Sequence, residues 1–158
     1  MSIKSLNHVD FDCIEYTAEK REFRVISSDL NHYIEQYREL SDMIGRKKAE
    51  YAKKNNYSYD MANERLEEEC CIPIDTLRKT ILGTTKCSRN FLYKFCVGLH
   101  MSLEEANKFF ILCDGELNER CMADYICIKA LEDRDTIKDF IDQFEQHVGI
   151  KLITKRRE

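Results

Sequence analysis

A chain of 158 residues that is 43% hydrophobic but holds only five glycines and one proline is long enough to enclose one core and too poor in turn residues for a β-rich fold. The predicted class is therefore all-α. A net charge of −4 and a pI near 5.7 argue against indiscriminate binding to nucleic acid, whereas a specific binder needs only a local basic face.

Residues 1–26 are expected to form an N-terminal arm, in which Val9, Phe11, Ile14 and Tyr16 are weakly patterned and TAEKREFR is strongly charged. Ser27, Ser28 and Asp29 then offer a helix N-cap, and Leu30, Tyr33, Ile34, Tyr37, Leu40, Met43 and Ile44 recur at helical spacing to form one apolar stripe. The stripe continues into a basic run with Arg46, Lys47, Lys48, Lys53 and Lys54. Such a run either contacts phosphate or is a solvated face whose cations suit a helix C-terminus.

After the polar turn NNYSYD, the segment MANERLEEECC predicts a helix with Met61, Leu66 and Cys70 as its core residues. A tight corner follows at Cys70, Cys71 and Ile72. Pro73 suits the first turn of the next helix, where its missing N–H removes no helical bond. That helix starts near Ile74, turns Leu77 and Ile81 inward, and stops at Gly83. Beyond the connector TTKCSR, Ser88 caps a helix with Phe91, Leu92, Phe95, Cys96 and Leu99 on its apolar face, and Gly98 permits a close helix approach. Ser102 and Glu105 make a capping box for a helix with Ala106, Phe109, Phe110 and Cys113 inward, ended by Asp114 and Gly115. Two more helices are expected. Cys121, Met122, Tyr125, Ile126, Ile128 and Leu131 pattern the first, and Ile137, Phe140, Ile141, Phe144 and Val148 the second.

From Leu40 to Gly115 the chain resembles the lambda repressor/Cro-like (XRE-type) helix-turn-helix family of bacterial and phage DNA-binding regulators. Leu66, Cys70, Ile72, Leu77 and Gly83 fall on the family's apolar and glycine positions, while Glu67 stands where an Ala is usual and Cys71 where the turn Gly is usual. The C-terminal helices resemble the pair found on a subset of such proteins, extending the likeness to about Ile150. The resemblance implies a five-helix lambda-repressor-like domain over residues 27–115, with a C-terminal helical extension at 116–158 packed on it. It also implies double-stranded DNA as partner, and a homodimer reading two half-sites if the extension does not simply complete the core.

With Leu77 and Ile81 facing the core, the residues implied to meet the major groove are Ile74, Asp75, Thr76, Arg78 and Lys79. Asn63 is implied to contact phosphate, as are Thr84, Thr85, Lys86 and Arg89 in the connector. Charged residues from Arg78 to Lys94 are all basic, which makes the exit half of the motif locally positive. The run Glu67, Glu68 and Glu69 opposes DNA unless it points away from the duplex.

Eight cysteines accompany a start, MSIKSLNHVDFDC, that lacks a signal-peptide pattern, so a cytoplasmic protein with reduced thiols and no membrane span is expected. The adjacent Cys70 and Cys71 either sense oxidant or sit as buried, inert thiols. No Cys-x2-Cys spacing supports a zinc site, and no cofactor is expected. Nucleophile-elbow, phosphate-loop and H-E-x-x-H motifs are missing, and His8, His32, His100 and His147 have no evident catalytic partner. A non-enzymatic DNA-binding transcription regulator is the leading expectation. The alternative is a protein-interaction module on a degenerate helix-turn-helix fold.

Overall fold

Ser58, Ser88, Ser102 and Thr136 each accept a hydrogen bond from the amide three residues on, at 3.1–3.2 Å, and so mark where helices begin. The computed structural model describes residues 20–152, with side chains from residue 30. The apolar residues expected in the first part of the arm, Cys13 and the basic tail KRRE lie outside that range. Among the described residues there are seven helices and no strand, so the chain is all-α. They are α1 (Lys20–Asn55), α2 (Tyr59–Cys70), α3 (Ile74–Leu82), α4 (Arg89–Gly98), α5 (Leu103–Cys113), α6 (Met122–Asp133) and α7 (Ile137–Val148).

The first helix is longer than its cap signal implies. It begins at Lys20 and runs through Ser27 and Ser28 for 36 residues in all. Serine in a helix interior costs only a few tenths of a kcal/mol, so a cap-like triplet yields to helix continuing on both sides. Burial on α1 is concentrated at Leu40, Ser41, Ile44 and Lys48, while Leu30, Tyr33, Ile34 and Tyr37 are half-buried. Gln36 Nε2 ties the helix to α5 by donating to the carbonyls of Ile111 and Leu112 at 3.2 and 3.3 Å.

The fourth helix sits at the centre. Phe91, Leu92, Tyr93, Phe95, Cys96, Val97 and Gly98 are all buried, so α4 is enclosed on several faces rather than along one stripe. It packs against α2, α5, α6 and α7. The Tyr93 ring lies 5.4–6.4 Å from those of Phe110, Phe140 and Phe144, joining α4 to α5 and α7. Gly98 makes the crossing with α2 possible. A Cβ there would stand 2.5 Å from both the Cys70 Sγ and the Glu69 carbonyl oxygen.

Several apolar residues expected inside are outside. Met61 is 40% exposed because Ala62, Asn63, Leu66 and Cys70 form the buried face of α2. On α6, Met122 and Tyr125 are 57% and 43% exposed, while Ile128 and Leu131 are buried as their spacing predicts and share the inner face with Asp124, Cys127 and Ala130. By contrast Ile137, Phe140, Ile141 and Phe144 of α7 are buried as their spacing predicts. The capping box forms only in half: Ser102 accepts from the Glu105 amide, but the Glu105 carboxylate accepts from Lys47 Nζ at 2.7 Å.

Gly98→Ala is expected to cost about 2–3 kcal/mol in urea-induced unfolding, since backbone as well as side chain must move to admit the methyl group. Gly83→Ala, at φ +83° with open space around it, is expected to cost only about 1 kcal/mol of backbone strain.

Candidate nucleic-acid interface

The α2–α3 corner is built from the residues that depart from common turn chemistry. Cys71 takes the left-handed conformation at φ 54°, ψ 41°, the region for which glycine is usual. Ile72 is buried beneath it, and Pro73 precedes α3 without offering a side-chain cap. Glu67 supplies a cap from the neighbouring helix: its Oε2 accepts from the Ile74 amide at 3.3 Å. The carboxylate thus meets an amide and the positive end of α3 instead of simply turning into solvent.

Leu77 and Thr80 fix the inward face of α3. Ile81 packs partly buried against α1, where a Cβ at Gly45 would come within 3.2 Å of its Cγ2. Gly83, left-handed at φ 83°, ends the helix, and its amide donates to the carbonyls of Lys79 and Thr80. With the inward face set, Asp75, Arg78 and Lys79 are exposed, and Ile74 and Thr76 are half-buried. Thr84, Thr85 and Lys86 are exposed in the connector. Asn63 is largely enclosed, at 7% exposure, on the wall of a groove of about 290 Å³ between α2 and α3. Tyr59, Asp60, Glu64, Ile74 and Arg78 complete the lining.

Sequence reasoning passed over Asp60 and Glu64. Their signal was register, since residues 60, 63 and 64 share one face of a helix. The charge balance is more even than the sequence suggests, because Asp75 lies 3.6 Å from Arg78 and 3.1 Å from Lys79.

The basic run of α1 divides into solvated and engaged side chains. Arg46, Lys53 and Lys54 are exposed. Lys47 bridges to Glu105 at 2.7 Å and to Glu50 at 3.1 Å, and Lys48, only 6% exposed, places its ammonium 3.9 Å from the centre of the Tyr59 ring. Lys86 lies 5.0 Å from the Tyr33 ring centre.

Arg89, expected in the connector as a phosphate contact, is engaged within the protein. It opens α4 with its guanidinium turned into the protein, where Nε and Nη2 donate to the two Asp124 oxygens at 3.1 and 2.6 Å. It also pairs with Asp114 and donates to the carbonyls of Gly115 and Glu116 at 2.8 and 3.2 Å. A side chain so occupied clamps α4, α6 and the loop after α5 together. Asp124, 2% exposed, also accepts from Tyr93 Oη and from the Asn118 amide. Burial alone would raise its carboxyl pKa. Bonds from Arg89, Tyr93 and Asn118 outweigh burial and hold it below the ordinary 3.8.

Behind the corner, Lys94 Nζ donates to the Cys71 carbonyl at 3.3 Å and to the Leu152 carbonyl at 3.2 Å. Burial lowers its pKa from the usual lysine value, and the nearby Cys71 and Cys70 oppose that shift. The described cysteines are free thiols, and burial pushes Cys70, Cys87, Cys96 and Cys127 up from their ordinary value. Cys71 is raised as well, with Lys94 acting against it, so the corner pair remains protonated near neutrality. Among the described residues no group of His, Cys, Asp or Glu is arranged to hold a metal ion, and no helix is long and apolar enough to cross a membrane.

No family model matches the chain, and neither a curated protein nor a solved structure matches it.

Arg89→Ala is expected to cost about 3 kcal/mol or more by leaving the buried Asp124 charge without its cation. The folded-state pKa of Asp124 is depressed, so its contribution is present above about pH 3.8 and is lost as pH falls through the lower folded value. Urea titrations taken from neutral pH into acid should therefore show a shallower acid limb in Asp124→Asn than in the wild type.

Proposed function

We propose that the chain is a sequence-specific DNA-binding transcriptional regulator in which α1 to α5 adopt a lambda-repressor-like arrangement and α3 enters the major groove. The division of α3 carries this reading: Leu77 and Thr80 are enclosed, while Arg78, Lys79 and the following Thr84, Thr85 and Lys86 stand in solvent. Arg78 pairs with guanine and Lys79 neutralises phosphate. Thr76 and Ile74 meet thymine methyls, and Asp75 orders the two cations beside it until DNA takes its place. Asn63 sits too deep on the groove wall to lead the contact and supports the approach of a phosphate instead. The regulator works in the cytoplasm on double-stranded DNA, where a homodimer would read paired half-sites.

A second reading, an interaction module that binds protein rather than DNA, is favoured by one feature. Asp60 and Glu64 line the groove that Arg78 also lines, and Asp75 lies 3.6 Å from Arg78, carboxylates that repel a phosphate backbone. Selection from a random duplex pool, followed by anisotropy titration of the winning sequence at two salt concentrations, separates the readings. A consensus with a steep salt slope is expected. Sequence-indifferent weak binding favours the module.

On the selected site, Arg78→Ala should cost about 1–3 kcal/mol and relax preference at one base position. Lys79→Ala should weaken all duplexes alike and flatten the log-log salt slope by about one. Equal affinity of the wild type and Arg78→Ala would remove the base-reading assignment.

A further inference from the structure

The outer face of the α6–α7 hairpin is a groove of about 560 Å³ far along the chain from the α2–α3 corner. Its floor is apolar. Met122 and Tyr125 line it with more than two-fifths of their surfaces exposed, Ile126 is half-buried, and Phe140 reaches it from the core. Two large apolar side chains left in solvent on one side of a helix, at i and i+3, form a continuous strip rather than scattered exposure.

One end of the strip is acidic. Asp133, Asp135 and Asp139 line the groove around the turn between the two helices. Arg134, in the left-handed conformation at φ 53°, makes that turn and so brings the end of α6 next to the start of α7. Burial first, and then the neighbouring Asp133 and Asp139, raise the Asp135 carboxyl pKa. The lysine lining the groove does not offset the cluster: Lys129 bridges to Glu132 at 3.5 Å beside the Tyr125 ring.

We propose that this groove docks a cationic amphipathic helix of a partner protein, with apolar side chains over Tyr125 and Met122 and arginines or lysines over Asp133, Asp135 and Asp139. Charge complementarity selects the occupant. Nucleic acid is repelled by the carboxylates. A second copy of the chain would bring an identical groove, whose one lining lysine, Lys129, is already paired with Glu132, and so offers no free cations to the aspartates. A helix fits because the groove runs between two helices, and α6 has 12 residues, so a third helix of similar length, about 18 Å, matches it. The inference is independent of DNA binding, since none of its residues belongs to α2, α3 or the connector.

The test uses the full chain, isotopically labelled, and two synthetic helical peptides with identical leucine spacing, one carrying lysine and arginine at its polar positions and the other glutamate. Affinity is read by anisotropy and location by amide chemical shifts. The cationic peptide is expected to bind, with shifts concentrated on α6 and α7, and the acidic peptide not to bind. Asp133→Asn with Asp139→Asn should weaken binding about three- to tenfold. Tyr125→Ser should weaken it with an unchanged circular dichroism spectrum. Asp60→Asn with Glu64→Gln, which removes as much charge from the other groove, should leave it unchanged. Equal affinity for both peptides, an equal loss in the Asp60 and Glu64 variant, no binding, or shifts confined to other helices would each overturn the proposal. So would a two-chain mass in solution that is lost in Tyr125→Ser, because a second copy would then cover the face.

Discussion

A helix with apolar side chains around much of its circumference has to be enclosed from several sides, and α4 imposes that requirement on the rest of the chain. Four helices answer it. The α2 backbone comes so near that only a glycine fits at position 98, while α5 and α7 bring aromatic rings to Tyr93. The start of α4 carries an unusual burden, since Arg89 places a cation at the positive end of a helix dipole. Asp124 and Asp114 reverse that penalty and bind α6 and the loop after α5 to the same point. One helix therefore sets the positions of the corner, the connector and the C-terminal hairpin.

Local features were legible in the sequence wherever a single element determines them. Ser88 and Ser102 cap the helices they precede, Gly83 ends α3 at positive φ, and the α7 stripe is inside. What could not be read depends on partners distant in sequence. Asp124 looks like a surface aspartate until Arg89, 35 residues earlier, is placed beside it. Met122 and Tyr125 keep helical spacing but face outward, because the narrow inner face of α6 is filled by smaller side chains such as Cys127 and Ala130. Glu105 fits a capping box by spacing, yet Lys47 from α1 takes its carboxylate.

The same limit governs the candidate interface. The register of α3 follows from Leu77 and the glycine stop, so the outward position of Arg78 and Lys79 was available from the sequence alone. Availability for a ligand was not. Lys47 and Lys48 belong to a basic run, but one is held by carboxylates and the other lies over an aromatic ring. Glu67, a departure from the resembled pattern, caps α3, so a substitution that looks like a defect contributes to placing the helix. Net charge along a segment says little about field at a face when the neighbouring element brings carboxylates to it.

The strap formed by Lys94 has a consequence for the order in which the protein is made. Its ammonium joins the carbonyl of Cys71, at the corner, to the carbonyl of Leu152, beyond α7. Translation delivers the corner and α4 well before α6 and α7, so a nascent chain holds Tyr93 and the buried face of α4 without their final cover. Lys94 is delivered with α4, so the corner's carbonyl has its donor early, and the second acceptor of that ammonium, the Leu152 carbonyl, arrives only after α7. The surface formed by α2 and α3 is thus held from behind by a cation whose second anchor comes from the segment after α7.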